Sequence, residues 1–400
     1  MKNKVIKPLI TCIFLGIASQ ASAGGLYLYE IGTEDLGLAN AGIAARAQDA
    51  TVVVGNPAGM TRLAGNQLVV GGQMLYGDVT YDLDRSHLQG PGNVVGWLPA
   101  VSTFYSHSVS DDLKLGIALY GNFGLSLGFD EAWAGRYLVK DATMMGLTLQ
   151  PALAFRFSDT WSAGAGLGVN LGIFSLTRDR LLSGDEHTED DTDLAPNVRL
   201  GVLFTPQEQT RLGLTWASEV DYEFEVDASG NLPLTGTPWL LPVSASVGAP
   251  QQAMFSVVQI LNDKWSLLGN IGWQDWSTFS EAEVTAGRMV LSSKLDLQDT
   301  WHGAVGTQYQ MAPATRLNFG IAYDTSMYED QNATSLTMPA GANWRFGTGV
   351  QHQLSEQASC GVAFEYLMGE DAHVAAPAPL AGSYTNPQMF FVSVNYSYRF

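Results

Sequence analysis

The chain has 400 residues, of which 39 are Asp or Glu and only 20 are Lys or Arg, giving a formal net charge of −19. Such an acidic chain is a poor partner for nucleic acid, because phosphate binding needs a basic surface. Charged residues make up only 15% of the chain, fewer than in typical soluble domains, and no run after Gly24 has the roughly 18 apolar residues of a membrane-spanning helix.

The N-terminus has the three parts of an export signal. Three lysines within the first seven residues precede a short apolar run, Leu9–Ala18, and a small-residue cleavage site at Ala21–Ala23. The apolar run is too short to cross a bilayer, so residues 1–23 are predicted to be a signal peptide. The mature chain then begins at Gly24 and keeps one cysteine, Cys360, so no intramolecular disulfide is expected.

Residues 24–65 are predicted to form a plug, or hatch, inside a barrel. The segment is rich in Gly and Ala, alternates little, and has room for short helices around Leu36–Gln48. The run Asn56-Pro57-Ala58-Gly59-Met60 indicates a defined turn, because proline fixes one dihedral angle and glycine relaxes another. The alternative for this segment is a disordered periplasmic extension.

Alternating or glycine-rich segments typical of β-strands fill residues 66–400. We count fourteen, and an even number is what single-chain bacterial barrels require. The sequence therefore predicts an all-β fold, a 14-stranded antiparallel transmembrane β-barrel with an N-terminal hatch that contains short helices. The predicted strands are Asn66–Tyr76, Trp97–Ser108, Leu113–Phe123, Thr143–Phe157, Trp161–Thr177, Pro196–Phe204, Arg211–Val226, Val243–Ile260, Lys264–Trp276, Leu297–Gln310, Thr315–Tyr328, Asn343–Leu354, Ser359–Met368 and Gln388–Phe400.

Short and long connections alternate between these segments. Outer-membrane barrels show this asymmetry, with short periplasmic turns and long extracellular loops, whereas a soluble β-sandwich has no reason to show it. The acidic run Asp185–Asp193 is predicted to lie in a long, solvated loop, with cation bridging to outer-leaflet lipid as a minor alternative. The long links are Asp179–Ala195, Asp227–Pro242, Ser277–Asp296, Glu329–Ala342 and Gly369–Pro387.

The last predicted strand has two chemically different faces. Every second residue from Phe390 to Phe400 is apolar or aromatic, and the residues between them are polar except for Phe391. A wall between lipid and a polar lumen shows this pattern. The last strand of a soluble sandwich alternates in the same way, but the export signal favours the outer membrane of a Gram-negative bacterium.

Several short motifs extend this interpretation. The most specific is Asn56-Pro57-Ala58, and the others are Asn122–Leu125, Trp216–Val220, Asp275–Ser277, Ile321–Asp324 and Leu336–Pro339. In order and spacing the chain resembles the outer-membrane long-chain fatty acid and hydrocarbon transporter family of the FadL/TodX type, over essentially the whole mature length. The final Phe400, with Tyr398, resembles the signature that the barrel-insertion machinery reads.

The resemblance implies a path for an apolar ligand. The ligand lands between extracellular loops, binds inside the barrel, and leaves sideways through the wall at an inward kink of the third strand. Gly121, Asn122, Phe123 and Gly124 are the expected kink, since glycine within a strand weakens pairing and permits a bulge. A sideways exit spares the ligand its transfer into water, which costs about 0.8 kcal/mol per methylene.

By the same resemblance, Arg178 at the end of the fifth strand is expected to bind the ligand's carboxylate. A guanidinium offers a bidentate fork and stays charged when partly buried; the alternative is an ordinary arginine at the barrel rim. A second cation is expected from the loop before the tenth strand, where Lys294 is the nearest lysine and Arg288 the alternative. The other expected ligand-binding residues are Gly24, Leu26 and Phe123.

The predicted function is passive uptake of long-chain fatty acids or similar hydrophobic molecules, and the alternative within the family is uptake of neutral hydrocarbons. An outer-membrane hydrolase is disfavoured, because no motif such as Gly-x-Ser-x-Gly accompanies the six histidines. The plug-length N-terminal segment disfavours a general porin. No cofactor or metal site is predicted. The expected partners are the hydrophobic ligand, outer-membrane lipid including lipopolysaccharide, and the barrel-insertion machinery.

Overall fold

The computed structural model describes residues 29–400, except for 86, 181–183, 232–237, 280, 287–288, 295, 339 and 377–379. The predicted signal peptide therefore lies outside the described residues, as do Gly24, Leu26 and Arg288.

Fourteen antiparallel strands, β1–β14, form one closed barrel. Each strand pairs with the next along the chain, and β1 also pairs with β14, which closes the wall. This architecture confirms the predicted fold class. The strands are β1 Gln67–Leu83, β2 Gly96–Ser108, β3 Leu113–Gly128, β4 Asp141–Arg156, β5 Trp161–Asp179, β6 Glu186–Gln207, β7 Thr210–Ala217, β8 Gln252–Ile260, β9 Trp265–Gln274, β10 Thr300–Ala312, β11 Thr315–Asp324, β12 Asn343–Gln353, β13 Ala358–Gly369 and β14 Gly382–Arg399, with short strands Gly92–Asn93 and Ala372–Val374 at the edge.

Side chains alternate between the outer and inner faces of the wall. In β11, Phe319 and Ile321 are 45% and 40% exposed on the outer face, whereas Asn318 and Ala322 are buried inside. In β14, Phe391, the one apolar residue on the predicted polar face, is fully buried inside the barrel. The outer face is thus an apolar band of the kind that meets lipid. Within the described ranges, no helix is long and apolar enough to cross a membrane.

The two ends of the barrel differ in their connections. At the short-turn end lie the tight turns, such as residues 109–112 between β2 and β3, and at the long-loop end lie the longer links, such as residues 129–140 and 325–342. Outer-membrane barrels place their short turns in the periplasm and their long loops outside the cell. The long-loop end therefore corresponds to the extracellular side of such a barrel.

The acidic run Asp185–Asp193 is not in a loop, so that prediction is wrong. Strand β6 begins at Glu186 and so contains all of the run except Asp185, and only residues 180–185 connect it to β5. The two strands pair as far as Asp179 opposite Glu186, and this backbone ladder outweighs the poor β-propensity of aspartate. The Asp191 carboxylate also accepts a hydrogen bond of 2.7 Å from a backbone N–H of the neighbouring sheet.

That neighbouring sheet, the outer sheet, has four antiparallel strands, and the start of its first strand packs against β5 and β6 with Tyr222 and Phe224 buried. The four strands are Val220–Asn231, Pro238–Ala249, Glu281–Ala286 and Met289–Lys294. The predictions of continuous strands over Arg211–Val226 and Val243–Ile260 are therefore wrong, because each range holds two strands. At the second break Pro250 has no N–H to offer a ladder. The long links predicted next to these ranges contain strands as well.

Residues 29–66, the inner segment, lie inside the barrel. They contain the helices α1 Thr33–Gly37 and α2 Val52–Gly55 and the 3₁₀-helix Pro57–Arg62. The range predicted to hold short helices, Leu36–Gln48, is helical only at its start, because Asn40 and Gly42 have φ angles of 67° and 78°, which a right-handed helix does not accept. That this segment works as a hatch remains a prediction.

The inner segment approaches the wall most closely at glycines. A β-carbon on Gly320 of β11 would overlap the carbonyl group of Leu38, and one on Gly213 of β7 would overlap that of Ala44. Only glycine leaves room for such backbone contact. These two positions therefore fix how deeply the inner segment can seat against the wall.

Polar contacts complete the attachment of the inner segment. The Asn56 amide donates to the carbonyl oxygens of Ala44 and of Val202 in β6, at 2.6 and 3.0 Å. Two largely buried ion pairs also link the segment to the wall, Arg345–Glu30 and Arg316–Glu34. Removing one partner of a buried pair costs about 3–5 kcal/mol, so these pairs oppose withdrawal of the segment.

Replacing Gly320 with valine should dislodge the inner segment, because the new side chain would occupy the place of the Leu38 carbonyl. Overpacking of this kind costs about 1–3 kcal/mol. We expect new protease cleavage within residues 29–66 of the inserted protein. Gly303→Val is the matched control, since a β-carbon at Gly303 meets no atom within 4 Å. Equal protection of the segment in both variants would contradict this packing.

Candidate functional site

Buried apolar side chains fill the long-loop half of the barrel, and we call them the upper apolar cluster. A water-filled porin lumen is polar, so this interior suits a hydrophobic solute better than a hydrated one. Its larger members are Leu75, Tyr81, Phe123, Leu125, Trp133, Phe174, Leu176, Tyr222, Phe224, Trp276, Tyr328, Tyr384 and Phe391.

Two long connections lie over the upper apolar cluster. In residues 129–140, Trp133 stacks on Phe129 with 4.9 Å between ring centroids and donates to the Val139 carbonyl at 2.7 Å. In residues 325–342, the Tyr328 hydroxyl donates to the Met338 carbonyl at 3.2 Å. Burial raises the pKa of Tyr328, so its phenol stays neutral. These two connections therefore cover the cluster at the long-loop end.

Strand β3 carries a bulge below this cluster. Gly121 lies opposite Leu147 of β4 and Phe123 lies opposite Gly146, so Asn122 is an extra residue in the strand. Gly124 follows with a φ of 155°, a conformation that residues with a side chain rarely adopt. A bulge bends its strand and disrupts the ladder locally.

Next to the bulge, β2 and β3 part. Their pairing begins at the short-turn end and stops at Thr103 opposite Leu119, although the rest of β2 still pairs with β1. Three consecutive residues of β2, 99–101, are exposed, and the exposed fraction of Val101 is 73%. Nearer the long-loop end, the Gly128 N–H donates to the Val94 carbonyl at 2.8 Å. The wall therefore has a bounded lateral gap between residues 96–102 and 120–127.

Arg178 points into the barrel on the same face of β5 as Phe174 and Leu176 of the upper apolar cluster, and it is 8% exposed. Its Nη2 donates to Oε1 of Glu189 in β6 at 2.7 Å. Its Nε is buried without a hydrogen-bond partner among the described residues, and so is Glu189 Oε2. Arg178 is therefore a buried, paired cation with one donor still unused.

Other charges near Arg178 are balanced. Lys140 donates to Glu186 at 2.5 Å and lies 3.5 Å from Asp179. The hydrogen bond to Glu186 raises the pKa of the Lys140 ammonium. His187 Nε2 lies 3.6 Å from the Glu189 oxygen that Arg178 also contacts. This end of the β5–β6 pair thus carries both signs of charge.

The structure does not bring all the predicted ligand-binding residues together. Lys294 ends a strand of the outer sheet, opposite Glu281, and its side chain lies outside the described part of the chain. Phe123 belongs to the upper apolar cluster beside the bulge. No group of His, Cys, Asp and Glu among the described residues could hold a metal ion.

A small polar pocket lies at the lower edge of the cluster, and our sequence analysis did not single it out. Asn170, Asn197 and Arg199 line it together with Phe123, and the Asn170 Nδ2 donates to Asn197 Oδ1 at 3.1 Å. Its free space is about that of one water molecule. A signal was present, because alternation in the predicted strand Pro196–Phe204 puts Asn197 and Arg199 on one face.

Comparisons with known proteins match this architecture. The sequence model of a family described as outer membrane protein transport protein (OMPP1/FadL/TodX) matches residues 14–400. A long-chain fatty acid transport protein of Salmonella typhi is 23% identical, over 96% of each chain. A solved Pseudomonas aeruginosa FadL homologue has a TM-score of 0.80 at 18% identity, covering 94% of this chain and 99% of its own. The solved Ralstonia pickettii toluene transporter TbuX has a TM-score of 0.71 at 14% identity, and the match covers 93% of this chain and 99% of that chain.

Removing Arg178 alone should destabilise the barrel, because Glu189 would stay buried without its partner. Breaking a buried ion pair in this way costs about 3–5 kcal/mol. We expect Arg178→Ala to lower the free energy of unfolding in urea by that order, and Arg178→Met combined with Glu189→Leu to regain most of it. If the double variant loses the sum of the two single losses, the pair is not coupled.

Proposed function

The chain belongs to the outer membrane protein transport protein family (OMPP1/FadL/TodX), whose members are transport channels and not enzymes, and we propose that its ligands are long-chain fatty acids. It is thus an outer-membrane transporter of hydrophobic molecules, and the fatty acid is our proposal. Arg178 carries this choice. Its buried, unused Nε donor beside the upper apolar cluster suits a carboxylate at the end of an apolar chain.

The acyl chain of such a ligand would lie among the side chains of the upper apolar cluster. Burial of each methylene stabilises binding by about 0.8 kcal/mol, so a long chain contributes far more than its single head group. The head group decides which ligand is chosen. A buried carboxylate without a partner is strongly disfavoured, and the guanidinium of Arg178 supplies that partner.

The ligand would leave through the lateral gap between β2 and β3. The buried inner segment occupies the short-turn half of the barrel, so a straight path into the periplasm is blocked. The gap opens beside Phe123, a member of the upper apolar cluster. A sideways path keeps the acyl chain among apolar groups from the cluster to the lipid.

Uptake of neutral hydrocarbons is the second candidate. It is favoured by the ion pair of Arg178 and Glu189, whose opposite charges at 2.7 Å leave the site with little net charge for an anion. A ligand without a head group would need neither residue. Lys294, Gly24 and Leu26 remain predictions for the ligand site, as do lipopolysaccharide and the insertion machinery for the partners.

Oleate and an alkane of matched length separate the two candidates. Because Arg178→Ala alone leaves Glu189 unpaired, the variant is Arg178→Met with Glu189→Leu. A charge-assisted hydrogen bond contributes about 1.5–3 kcal/mol, so oleate affinity should fall roughly 10- to 150-fold while alkane affinity stays unchanged. Binding to purified protein is the measurement.

The control for that experiment is Arg156→Met with Asp112→Leu, which removes an ion pair of 2.8 Å at the short-turn end. It should bind both ligands as the unmodified protein does. If the Arg178 variant loses oleate and alkane equally, the assignment to fatty acids is wrong. Unchanged binding of both would favour neutral hydrocarbons.

Deleting Asn122 tests the lateral path. Tyr120 and Phe123 both face inward, so removal of the one extra residue between them restores regular alternation and lets β3 run straight along its neighbours. Oleate uptake by cells should then drop toward the level of cells that lack the protein, with binding to purified protein retained. Asn122→Gly keeps the residue count and should transport normally. Full uptake by the deletion variant would exclude this path.

A further inference from the structure

Five ionisable side chains meet inside the barrel around Arg345 of β12. Arg345 donates to Glu30 of the inner segment, and its Nε donates to the Asp324 carboxylate of β11 at 2.7 Å. Its Nη1 also lies 3.7 Å from an oxygen of Glu365 in β13. His302 of β10 completes the group, with its Nδ1 2.7 Å from Asp324. We call these five residues the Arg345 cluster.

The Arg345 cluster has more acidic than basic groups. Its three carboxyl groups face one guanidinium, and even with His302 counted as a cation one negative charge stays in excess. The side chains of Glu30 and Glu365 have no exposed surface. Since an ionised carboxylate without a partner in such a place is strongly disfavoured, the excess charge needs a counter-charge.

The neighbouring elements do not supply that counter-charge. The two acidic residues of α1 already occupy the nearby arginines, in the ion pairs Arg46–Glu34, Arg46–Asp35 and Arg316–Glu34. Strand β14, on the other side of Glu365, presents the uncharged side chains of Phe391 and Ser393. The described residues form no group that could hold a metal ion. A proton is therefore the simplest counter-charge.

Glu365 is the carboxyl group best placed to carry the proton. Both of its oxygens are buried without a hydrogen-bond partner among the described residues, whereas Glu30 and Asp324 each accept a hydrogen bond from Arg345. We propose that Glu365 is a proton-binding site, and that its ionisation draws Arg345 from Glu30 and releases the start of the inner segment. The inference concerns how the segment is held and applies to either candidate ligand.

The guanidinium can change partners with little movement. The same nitrogen of Arg345 contacts Glu30 and lies within 3.7 Å of Glu365. While Glu365 is neutral, Glu30 is the better partner; once Glu365 is ionised, two carboxylates compete and one is left unpaired. Backbone pairing on both sides fixes Glu365 in the wall, whereas Glu30 precedes α1 and belongs to no strand. Glu30 is therefore the partner that leaves.

The residue next to Glu30 connects this exchange to the apolar interior. Tyr29 belongs to the upper apolar cluster, and its ring packs on His302 with 4.5 Å between ring centroids. The Arg345 guanidinium lies 5.7 Å from the centre of the Tyr29 ring. Movement of Glu30 would carry Tyr29 with it, so the charge of Glu365 acts on the space that an apolar ligand would occupy.

A pH series of protease cleavage tests the inference. The unmodified protein and Glu365→Gln are treated alike in detergent at each pH, so the pH dependence of the protease cancels. Buried glutamates release their proton as late as about pH 8–9, so the series runs from about pH 5 to about pH 10. The proton holds the segment at low pH. Cleavage within residues 29–32 of the unmodified protein should therefore rise with pH, by up to about tenfold per pH unit, and stay slow in Glu365→Gln.

Two further variants sharpen the comparison. Glu370→Gln is the matched control, because Glu370 lies just beyond the same strand and is exposed; it should follow the unmodified protein at every pH. Glu30→Gln should act in the opposite direction. With the Glu30 charge removed, Arg345 pairs with Glu365, and cleavage at the low end of the series should be faster than in the unmodified protein.

Equal pH profiles of the unmodified protein and Glu365→Gln would overturn the inference, and so would cleavage of the unmodified protein that does not change with pH. Glu365→Leu, which is also neutral and of similar volume, provides the same comparison should the glutamine variant fail to insert. None of these measurements involves a ligand. Their failure would leave the proposed function intact, because the binding of oleate and alkane decides that separately.

Discussion

A wall in lipid must pair every backbone N–H and C=O group, because no water is present to do so. That constraint decides the architecture: the pairing of β1 with β14 removes both sheet edges. The wall departs from it at the lateral gap, where β2 and β3 stop pairing. There the Ser102 hydroxyl donates to the carbonyl of Ile31 in the inner segment at 3.1 Å. The inner segment thus contacts the wall at the edge of the gap that is nearer the short-turn end.

The closed wall creates a lumen, and the two halves of that lumen are filled by different means. In the short-turn half, the inner segment seats its backbone on glycines such as Gly213 and Gly320 and adds buried ion pairs. In the long-loop half, large aromatic side chains fill the space, and the ion pairs of Lys140 with Asp179 and Glu186 hold only the end of the connection 129–140. The packing in the short-turn half is rigid. The packing in the long-loop half can rearrange around a ligand, since apolar contacts have no required direction.

Alternation in the sequence was enough to predict the fourteen strands, because one face of each strand meets lipid. It failed at the acidic run Asp185–Asp193, where pairing with β5 outside the membrane overrides local propensity. The family resemblance singled out Arg178 as a ligand-binding prediction but did not give its partner Glu189, because an ion pair across two strands depends on a register that sequence alone does not supply. Arg199 was visible as an inward residue, but its pocket is formed by side chains from distant strands.

The partner of Arg178 also bears on transport. A channel needs binding that is favourable enough for a ligand to enter and weak enough for it to leave. If the ligand is the fatty acid that we propose, Glu189 would compete with its carboxylate for the guanidinium, and this competition would lower the affinity of the site.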